Sequence, residues 1–339
     1  MRAWELQEFG LDGLRLRDDR PAESITPWDV RVRIRAASLN FRDWLMVKGQ
    51  YNPRQRLPLV PCSDGAGEVL EVGSAVTQWK PGDRVCAIFA QVWQSGRVAK
   101  EKVSTTLGGP LDGTLRGEAV FRESGLVRIP GRLDYAQAAC LPCAAVTAWN
   151  AIVEQGQVHA GQTVLVQGTG GVSLFAMQFA LLHGARVIVT SSSDEKLSAA
   201  KRLGAHEAIN YRTTPDWEKR ARELTGGVGV DHIIEVGGAG TLAKSLRAIR
   251  MGGTISIIGQ LTGNATEVNL IPILMQNVRL QGVIVGSRET FENMNAAIEA
   301  NGLTPVVDGK RFAFEAAREA FAYLAAGSHF GKVVIDGVA

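Results

Sequence analysis

A glycine-rich turn between an apolar strand and an apolar helix is the part of this sequence best suited to chemistry. Its residues are Gly168, Thr169, Gly170, Gly171 and Val172. Glycines let a backbone turn tightly and approach a pyrophosphate, whose negative charge the start of the following helix stabilises. The third glycine of the usual G-x-G-x-x-G pattern is Ser173 here, which is small enough for a helix to pack closely on a strand. Because a strand precedes the turn and a helix follows it, the pattern predicts a dinucleotide site rather than a purely structural turn.

The residues after the second strand of this region predict which dinucleotide binds. NAD enzymes usually carry Asp or Glu roughly 20 residues after the loop, where the carboxylate accepts hydrogen bonds from the ribose. This chain has Ser191 and Ser192 there, with Lys196 shortly after them and Tyr211 behind the third strand. A carboxylate would repel a 2′-phosphate, whereas hydroxyls and a cation would bind it. We therefore expect NADP rather than NAD, and the serines also suit the cap of a helix that starts at Asp194.

Strands and helices alternate regularly around the glycine-rich turn. Strands are predicted at residues 162–167, 186–190, 207–210, 230–235, 253–258 and 278–283. Helices are predicted between them at residues 172–183, 194–203, 216–224 and 240–249. This alternation predicts a doubly wound α/β domain, in which a parallel sheet carries helices on both faces.

The first third of the chain has a different texture, with short alternating strands separated by turns. Examples are residues 30–35, 67–72 and 84–88. This pattern predicts a β-rich, barrel-like domain. Two helices near 289–300 and 314–326 and a closing strand at 332–335 make a tail that is too short for a domain of its own. We expect residues 1–126 and 286–339 to form the catalytic domain, and residues 127–285 to form the dinucleotide-binding domain.

The composition excludes several classes of function. Apolar residues make up 45% of the chain and charged residues 21%, which is ordinary for a globular protein. The formal net charge is only +3 and like charges do not cluster, so binding of nucleic acid or of an anionic membrane has no electrostatic support. The N-terminus has no apolar signal core, and polar residues interrupt the most apolar stretch, residues 172–189. We expect a cytoplasmic protein without a membrane span.

Two of the four cysteines, Cys140 and Cys143, form a C-x-x-C pair. A redox motif of this kind should open a helix in an exposed position, and a zinc clip would need a second pair of ligands nearby. The pair instead lies within a run of small apolar residues. We therefore expect buried packing cysteines.

Several further motifs, together with the order of the two domains, resemble the medium-chain dehydrogenase/reductases. The motifs are Asp64-Gly65-Ala66-Gly67-Glu68-Val69, Pro81-Gly82-Asp83-Arg84-Val85, Leu203-Gly204-Ala205 and Phe330-Gly331-Lys332-Val333-Val334-Ile335. The resemblance covers essentially the whole chain, and it implies a GroES-like catalytic domain together with a Rossmann domain. It also implies a homodimer, because sheet edges like that of residues 252–286 commonly pair across a two-fold axis in this family.

The resemblance also bears on metal binding. Zinc-dependent alcohol dehydrogenases of the family carry a catalytic cysteine near Asn40, and Gly-His-Glu where this chain has Cys62, Ser63 and Asp64. An amide and a hydroxyl cannot replace the soft ligands of tetrahedral zinc. The family's structural lobe of four cysteines is also missing between residues 87 and 104. We therefore expect no metal.

What remains resembles the zinc-free branch of the family, the quinone oxidoreductases and 2-enoyl thioester reductases. The residues that carry this likeness are Leu39-Asn40-Phe41-Arg42-Asp43 and Lys48-Gly49-Gln50-Tyr51. The resemblance implies that Tyr51 donates a hydrogen bond or proton, and that Lys196 and Tyr211 bind the 2′-phosphate. Asn40 would orient the substrate carbonyl or the nicotinamide ribose. Tyr51 could equally be a surface aromatic and Asn40 a turn residue.

The chemistry of hydride transfer narrows the expected substrate. Hydride that reaches an electrophile leaves negative charge on oxygen, which hydrogen-bond donors must stabilise where zinc does not. A conjugated substrate spreads that charge over an enolate or a hydroquinone. We therefore expect an NADPH-dependent reductase of quinones or of conjugated enone or enoyl carbonyl compounds. A zinc-type alcohol dehydrogenase with atypical ligands and a non-catalytic NADPH sensor remain as alternatives.

Overall fold

The computed structural model of the protein describes residues 1–338. The strands are β1 (Ala3–Leu6), β2 (Leu14–Arg17), β3 (Asp29–Leu39), β4 (Asp64–Val72), β5 (Arg84–Ala87), β6 (Glu118–Arg122), β7 (Leu126–Arg128), β8 (Thr163–Gln167), β9 (Arg186–Ser191), β10 (Glu207–Asn210), β11 (Val230–Glu235), β12 (Ile249–Ile257), β13 (Arg279–Gly282), β14 (Phe312–Ala313) and β15 (Val333–Asp336). The α-helices are α1 (Phe41–Val47), α2 (Lys100–Val103), α3 (Tyr135–Ala139), α4 (Val146–Trp149), α5 (Gly171–Leu182), α6 (Asp194–Arg202), α7 (Trp217–Glu223), α8 (Leu242–Ala248), α9 (Ile271–Met275), α10 (Arg288–Asn301) and α11 (Ala317–Ala325). Two π-helical turns are Leu141–Ala145 and Asn150–Glu154.

These elements form two compact units. One comprises Met1–Val146 together with the residues from Gly286 onward, and the other comprises Thr147–Val285. The predicted division after residue 285 coincides with the observed one. The first division lies after Val146 rather than after residue 126, because β7 pairs with β5 and α3 packs against β3 and β4 of the first unit.

The first unit is built around the long strand β3. The sheet has the order β14-β15-β3-β4-β5-β7, and β6 also pairs with β3. Val30, Val32 and Ile34 alternate with more exposed arginines along β3, so one face of the strand is buried in a core that includes Phe314 and Phe321. The β-rich, GroES-like domain expected from the sequence is confirmed.

The pairing of β3 brings three distant parts of the chain together. Asp64 of β4 lies opposite Ser38, and Val333 of β15 lies opposite Leu39. Because Asn40 follows β3 directly, it lies beside the first residues of both neighbouring strands. The sheet therefore brings together polar side chains that are distant in sequence: Asp64 is more than 20 residues from Asn40, and Lys332 is more than 250 residues from Asp64.

The second unit is a parallel six-stranded sheet in the order β10-β9-β8-β11-β12-β13. The strand order reverses between β8 and β11, which is where doubly wound sheets bind their ligands. Residues from neighbouring strands, such as Leu165, Ile188 and Ile233, are fully buried in its core. The Rossmann-like fold predicted from the βα alternation is confirmed. Among the helices of residues 1–338, none is long and apolar enough to cross a membrane.

Candidate functional site

The glycine-rich turn lies at the carboxyl end of β8, where the strand passes into α5. Gly168 has a φ of 74°, a left-handed conformation that favours glycine. A Cβ atom at Gly168 would meet no other atom within 4 Å, so the space beside the turn is open. Gly170 precedes α5 and offers no side chain to cap the first amides of the helix. An open turn with uncapped helix amides fits the pyrophosphate of a dinucleotide.

Ser173, in place of the third glycine, ties this turn to the strand before it. Its side chain is buried and its hydroxyl donates to the carbonyl oxygen of Gln167 at 2.6 Å. The substitution therefore adds a contact between α5 and β8 instead of pushing them apart.

A buried carboxylate lies on the other side of the point where the strand order reverses. Glu235, at the end of β11, accepts hydrogen bonds from the backbone amides of Gly237 and Gly238 at 2.9 and 3.0 Å. The side-chain amide of Gln167 donates to the same carboxylate at 2.7 Å, and the Ser245 hydroxyl also donates to it. The carboxylate is fully buried. This network fixes the loop after β11 relative to the end of β8.

The residues predicted to bind the 2′-phosphate lie at the ends of β9 and β10. Ser191 ends β9, and its carbonyl oxygen accepts from the backbone amide of Tyr211 at 3.0 Å. Ser193 caps α6 by accepting from the amide of Lys196 at 3.3 Å. Asp194 is also present here, and one of its carboxylate oxygens accepts from the Asn210 amide at 2.8 Å. The structure thus brings the ends of β9 and β10 and the first turn of α6 together.

Ser192, the remaining residue of the predicted phosphate site, lies between the end of β9 and the cap of α6 and is half-buried. The glycine-rich turn precedes α5, and β8 is flanked by β9. All of the predicted dinucleotide-binding residues therefore lie at the carboxyl ends of neighbouring strands in the second unit or in the first turns of the helices that follow them.

A polar cluster in the first unit surrounds Asn40. Its side-chain NH2 donates to Asp64 Oδ2 at 2.8 Å and to Ser63 Oγ at 3.3 Å. Its side-chain oxygen accepts from the ammonium of Lys332 at 2.6 Å. Asn40 is half-buried, whereas the other three residues are buried. Asn40 is therefore the accessible member of the cluster.

Lys332 is a buried cation that the sequence analysis did not single out as a site residue. Its Nζ donates to the carbonyl oxygen of Leu39 at 2.9 Å and to Asp64 Oδ2 at 3.2 Å, besides Asn40. Burial is the largest single effect and lowers the pKa of Lys332, but Asp64 and the neighbouring Cys140, Cys143 and Asp43 together raise it by more. The pKa therefore lies above its ordinary value and the group is charged. A lysine at the start of an otherwise apolar strand was the signal that could have revealed it.

Tyr51 lies beyond the end of α1, with its ring under the guanidinium of Arg42. The guanidinium carbon lies 4.7 Å from the ring centroid of Tyr51, and Tyr51 is 48% exposed. Arg42 also pairs with the buried Asp43 at 3.2 Å and donates to the carbonyl oxygens of Leu107 and Gly109. Arg42 therefore links the buried Asp43 and the ring of Tyr51 to the loop around residue 109.

All four cysteines are buried and carry no disulfide. Burial raises the pKa of Cys140 to about 12, and it also raises the pKa values of the other three thiols above their ordinary value. The packing role expected for Cys140 and Cys143 fits these positions. His232 is likewise buried, with Nε2 at 2.9 Å from Ser256 Oγ, which fits a structural role.

Comparison with known proteins agrees with this architecture. Two family models match, an alcohol dehydrogenase GroES-like domain at residues 26–131 and a zinc-binding dehydrogenase domain at residues 171–300. The chain is 44% identical to a zinc-type alcohol dehydrogenase-like protein of Schizosaccharomyces pombe over 96% of each chain. It is 34% identical to a quinone oxidoreductase of Pseudomonas aeruginosa, again over 96% of each chain. A solved NAD-dependent alcohol dehydrogenase, 34% identical, superposes with a TM-score of 0.90 over 99% of both chains.

The chain belongs to the medium-chain dehydrogenase/reductase superfamily. As a member of it, the protein is an oxidoreductase that binds a nicotinamide dinucleotide and acts on a small molecule.

Zinc, which the names of some superfamily members mention, does not fit the residues around Asn40. They offer an amide, a hydroxyl and one carboxylate, which is a poor donor set for tetrahedral zinc. The Lys332 ammonium already lies 3.2 Å from that carboxylate and would repel a second cation. Among residues 1–338, no group of three or more His, Cys, Asp or Glu side chains could hold a metal ion.

Sequence reasoning singled out one part of each candidate site in this superfamily member and left another part out. It identified the glycine-rich turn but not Glu235, and it identified Asn40 but not its partner Lys332. Asn40 and Tyr51 both belong to the first unit, yet no hydrogen bond joins them within residues 1–338. Their shared neighbour is Arg42, which follows Asn40 by two residues and lies over the ring of Tyr51.

Proposed function

We propose that the protein reduces quinones or conjugated enone or enoyl carbonyl compounds with NADPH, without zinc. The observation that carries the proposal is the cluster at Asn40, in which a lysine ammonium accompanies an amide and a carboxylate where zinc-dependent relatives bind metal. An alcohol dehydrogenase of the zinc type needs a Lewis acid to hold its alkoxide. A conjugated acceptor makes a smaller demand, because its negative charge is delocalised.

The choice of NADPH rests on the end of β9. The strand ends in Ser191 and is followed by Ser192, so the first acid along the chain is Asp194 at the start of α6, and Tyr211 follows the neighbouring strand β10. Lys196 lies in the first turn of α6, within reach of the same edge of the sheet. Hydroxyls and an ammonium group suit a 2′-phosphate. The nearby carboxylate of Asp194 accepts a hydrogen bond from the side-chain amide of Asn210, which is a neutral donor.

The chain's own residues would bind and polarise the substrate. A bound reduced nicotinamide supplies the hydride. Asn40 orients the substrate carbonyl or the nicotinamide ribose, and the hydroxyl of Tyr51, whose side chain is about half exposed, donates a hydrogen bond or proton to the substrate oxygen. Arg42 keeps the Tyr51 ring in place through its stacked guanidinium.

A second candidate is an NAD-dependent alcohol dehydrogenase. It is favoured by the names of two similar proteins, the zinc-type alcohol dehydrogenase-like protein of S. pombe and the solved NAD-dependent alcohol dehydrogenase. This function requires that the residues around Asn40 bind a metal ion, or that a hydrogen-bond donor such as Tyr51 takes the place of the metal. A non-catalytic NADPH sensor would bind the cofactor without turnover.

One experiment separates the three functions. Purified protein, treated with a chelator and then tested with and without zinc, is given NADPH or NADH with panels of quinones and enones, and NADP⁺ or NAD⁺ with a panel of primary alcohols. We expect oxidation of NADPH by the quinones or enones, with no gain from zinc. Alcohol oxidation that requires zinc or prefers NAD⁺ would establish the dehydrogenase, and tight NADPH binding without turnover would establish the sensor.

The proposed assembly is a homodimer formed at the outer edge of the second unit. Strand β13 lies at the end of the sheet, and its outer backbone groups are available to a further strand. Next to it, α9 buries none of its residues, and Leu274 is 74% exposed. Further exposed apolar side chains in this region are Leu270, Ile271, Met275 and Ile284. An apolar patch beside an open strand suits a second copy related by a two-fold axis.

The oligomeric state tests this assembly. Light scattering after size-exclusion chromatography should give the mass of a dimer for the wild type and that of a monomer for Leu274→Glu. Leu203→Glu, at another exposed leucine of the same unit, is the control and should leave the mass unchanged. A monomeric wild type contradicts the proposal.

A further inference from the structure

Within residues 1–338, Lys332 is the one strongly buried ammonium, and the proposed reaction leaves it without a role. Only 2% of its side chain is exposed, and all three of its N–H groups have acceptors. The acceptors are the Leu39 carbonyl oxygen at 2.9 Å, Asn40 Oδ1 at 2.6 Å and Asp64 Oδ2 at 3.2 Å. Because all three N–H groups are already hydrogen-bonded, we look for the function of Lys332 in the side chains that it orients rather than in proton transfer.

Lys332 fixes the orientation of the Asn40 side-chain amide. The amide oxygen faces the ammonium, while the amide nitrogen faces the Asp64 carboxylate at 2.8 Å. If the amide turned over, its NH2 would face a cation and its oxygen would face an anion. Both contacts would change from attractive to repulsive, so the two charges together permit a single orientation.

We propose that Lys332 is a fixed internal cation and a positioning residue for Asn40, which it holds together with Asp64 in one orientation. The inference rests on the proposed function, because it matters for turnover only if Asn40 contacts substrate or nicotinamide. The same positive charge also balances the fully buried Asp64. The cluster thus carries its own cation where the superfamily's zinc enzymes use a metal.

The charge balance gives a test that does not depend on activity. Removing either partner leaves the other charge buried and unpaired, which is strongly destabilising, whereas removing both leaves a neutral cluster. Lys332→Met and Asp64→Asn should each lower the melting temperature, and the double variant should recover most of the loss. The exposed ion pair of Lys219 with Asp216, at 2.8 Å, supplies the control cycle. Lys219→Met, Asp216→Asn and their double variant should each melt close to the wild type.

The double variant Lys332→Met, Asp64→Asn then tests the positioning role in a folded protein. We expect its kcat with NADPH and a quinone to fall tenfold or more, while its Kd for NADPH stays within twofold of the wild type. In protein labelled with ¹⁵N-asparagine, the side-chain amide signals of Asn40, assigned with Asn40→Asp, should be sharp and slow to exchange in the wild type. They should broaden or exchange rapidly in the double variant.

Two results overturn the proposal. One is a double variant with wild-type kcat and unchanged Asn40 signals, which would leave Lys332 a structural role alone. The other is single variants that melt like the wild type. If the wild type itself shows no turnover with NADPH, the proposed function fails, and the melting cycle and the Asn40 signals still decide whether Lys332 fixes the amide.

Discussion

The side-chain amide of Gln167 donates a hydrogen bond to the carboxylate of Glu235 at 2.7 Å, between the carboxyl ends of the adjacent strands β8 and β11. These two strands flank the point where the strand order of the sheet reverses. Gln167 immediately precedes the glycine-rich turn, and Glu235 accepts hydrogen bonds from the backbone amides of the loop that follows β11. The contact therefore couples the two loops that border the proposed dinucleotide site.

Glu235→Ala tests this coupling. The substitution leaves the amides of Gly237 and Gly238, the Gln167 amide and the Ser245 hydroxyl without their buried acceptor. Hydrogen bonds to a charged group contribute about 1.5–3 kcal/mol each, so we expect a loss of at least about 3 kcal/mol in the free energy of unfolding. Dinucleotide affinity should fall as well. Thermal melting and calorimetric titration measure the two effects, and Glu267→Ala, at an exposed position of the same unit, is the control. A Glu235→Ala protein that melts and binds like the wild type would contradict the coupling.

The choice of cofactor is tested by substitutions at the end of β9 and in the first turn of α6. Ser191→Asp places a carboxylate where the 2′-phosphate is proposed to lie, so the Kd for NADPH should rise roughly 10- to 100-fold and the Kd for NADH should fall. Lys196→Met should weaken the binding of NADPH and leave the binding of NADH unchanged. Lys201→Met, in the last turn of the same helix, serves as the control for the loss of a surface charge. Equal effects on both cofactors would place the phosphate elsewhere.

Tyr51→Phe tests the proposed donor while keeping the stacked ring under Arg42. Because the cation–π contact survives, we expect an unchanged melting temperature. Loss of the hydroxyl should lower kcat about 100-fold, within the range for a general acid. Tyr135→Phe is a matched control, since the Arg84 guanidinium lies 4.8 Å from the Tyr135 ring centroid. If kcat of Tyr51→Phe matches that of the wild type, Tyr51 is a surface aromatic.

The buried imidazole of His232 predicts a loss of stability in acid. Burial lowers its pKa from the ordinary 6.5 to about 4, so the folded protein keeps the ring neutral after the unfolded chain would bind a proton. The contribution of His232 to the free energy of unfolding is fully present above about pH 6.5 and disappears as the pH falls to about 4. The shift corresponds to about 3 kcal/mol. Denaturant unfolding of His232→Gln at pH 7 and pH 4.5 should show a smaller difference than the wild type, whereas the exposed His159→Gln should not. Identical pH dependence in His232→Gln and the wild type would be inconsistent with this account.

The sequence predicted the second unit more closely than the first. Strands β10 and β11 lie at the predicted residues, and β8 and α5 enclose the predicted turn, because apolar periodicity and glycines are local signals. The prediction missed the helical turns at residues 135–154, whose small buried side chains show no amphipathic period. It also started β12 at residue 253, although the strand begins at Ile249.

The polar cluster shows the same limit within the site. The family resemblance pointed to Asn40, but the contact between Lys332 and Asn40 joins residues 292 positions apart. That contact depends on the pairing of β15 with β3, a long-range register that no local pattern encodes. Glu235 was likewise assigned to its strand, yet its burial and its donors depend on how β8 lies beside β11.

The burial of the four cysteines has a consequence for a protein proposed to handle quinones and enones. Such compounds are Michael acceptors, which alkylate thiolates irreversibly. With every cysteine of the sequence enclosed and its pKa raised, hardly any thiolate forms at neutral pH and none of the sulfurs meets the solvent freely. The polypeptide is thereby protected against covalent inactivation by the electrophiles it would consume.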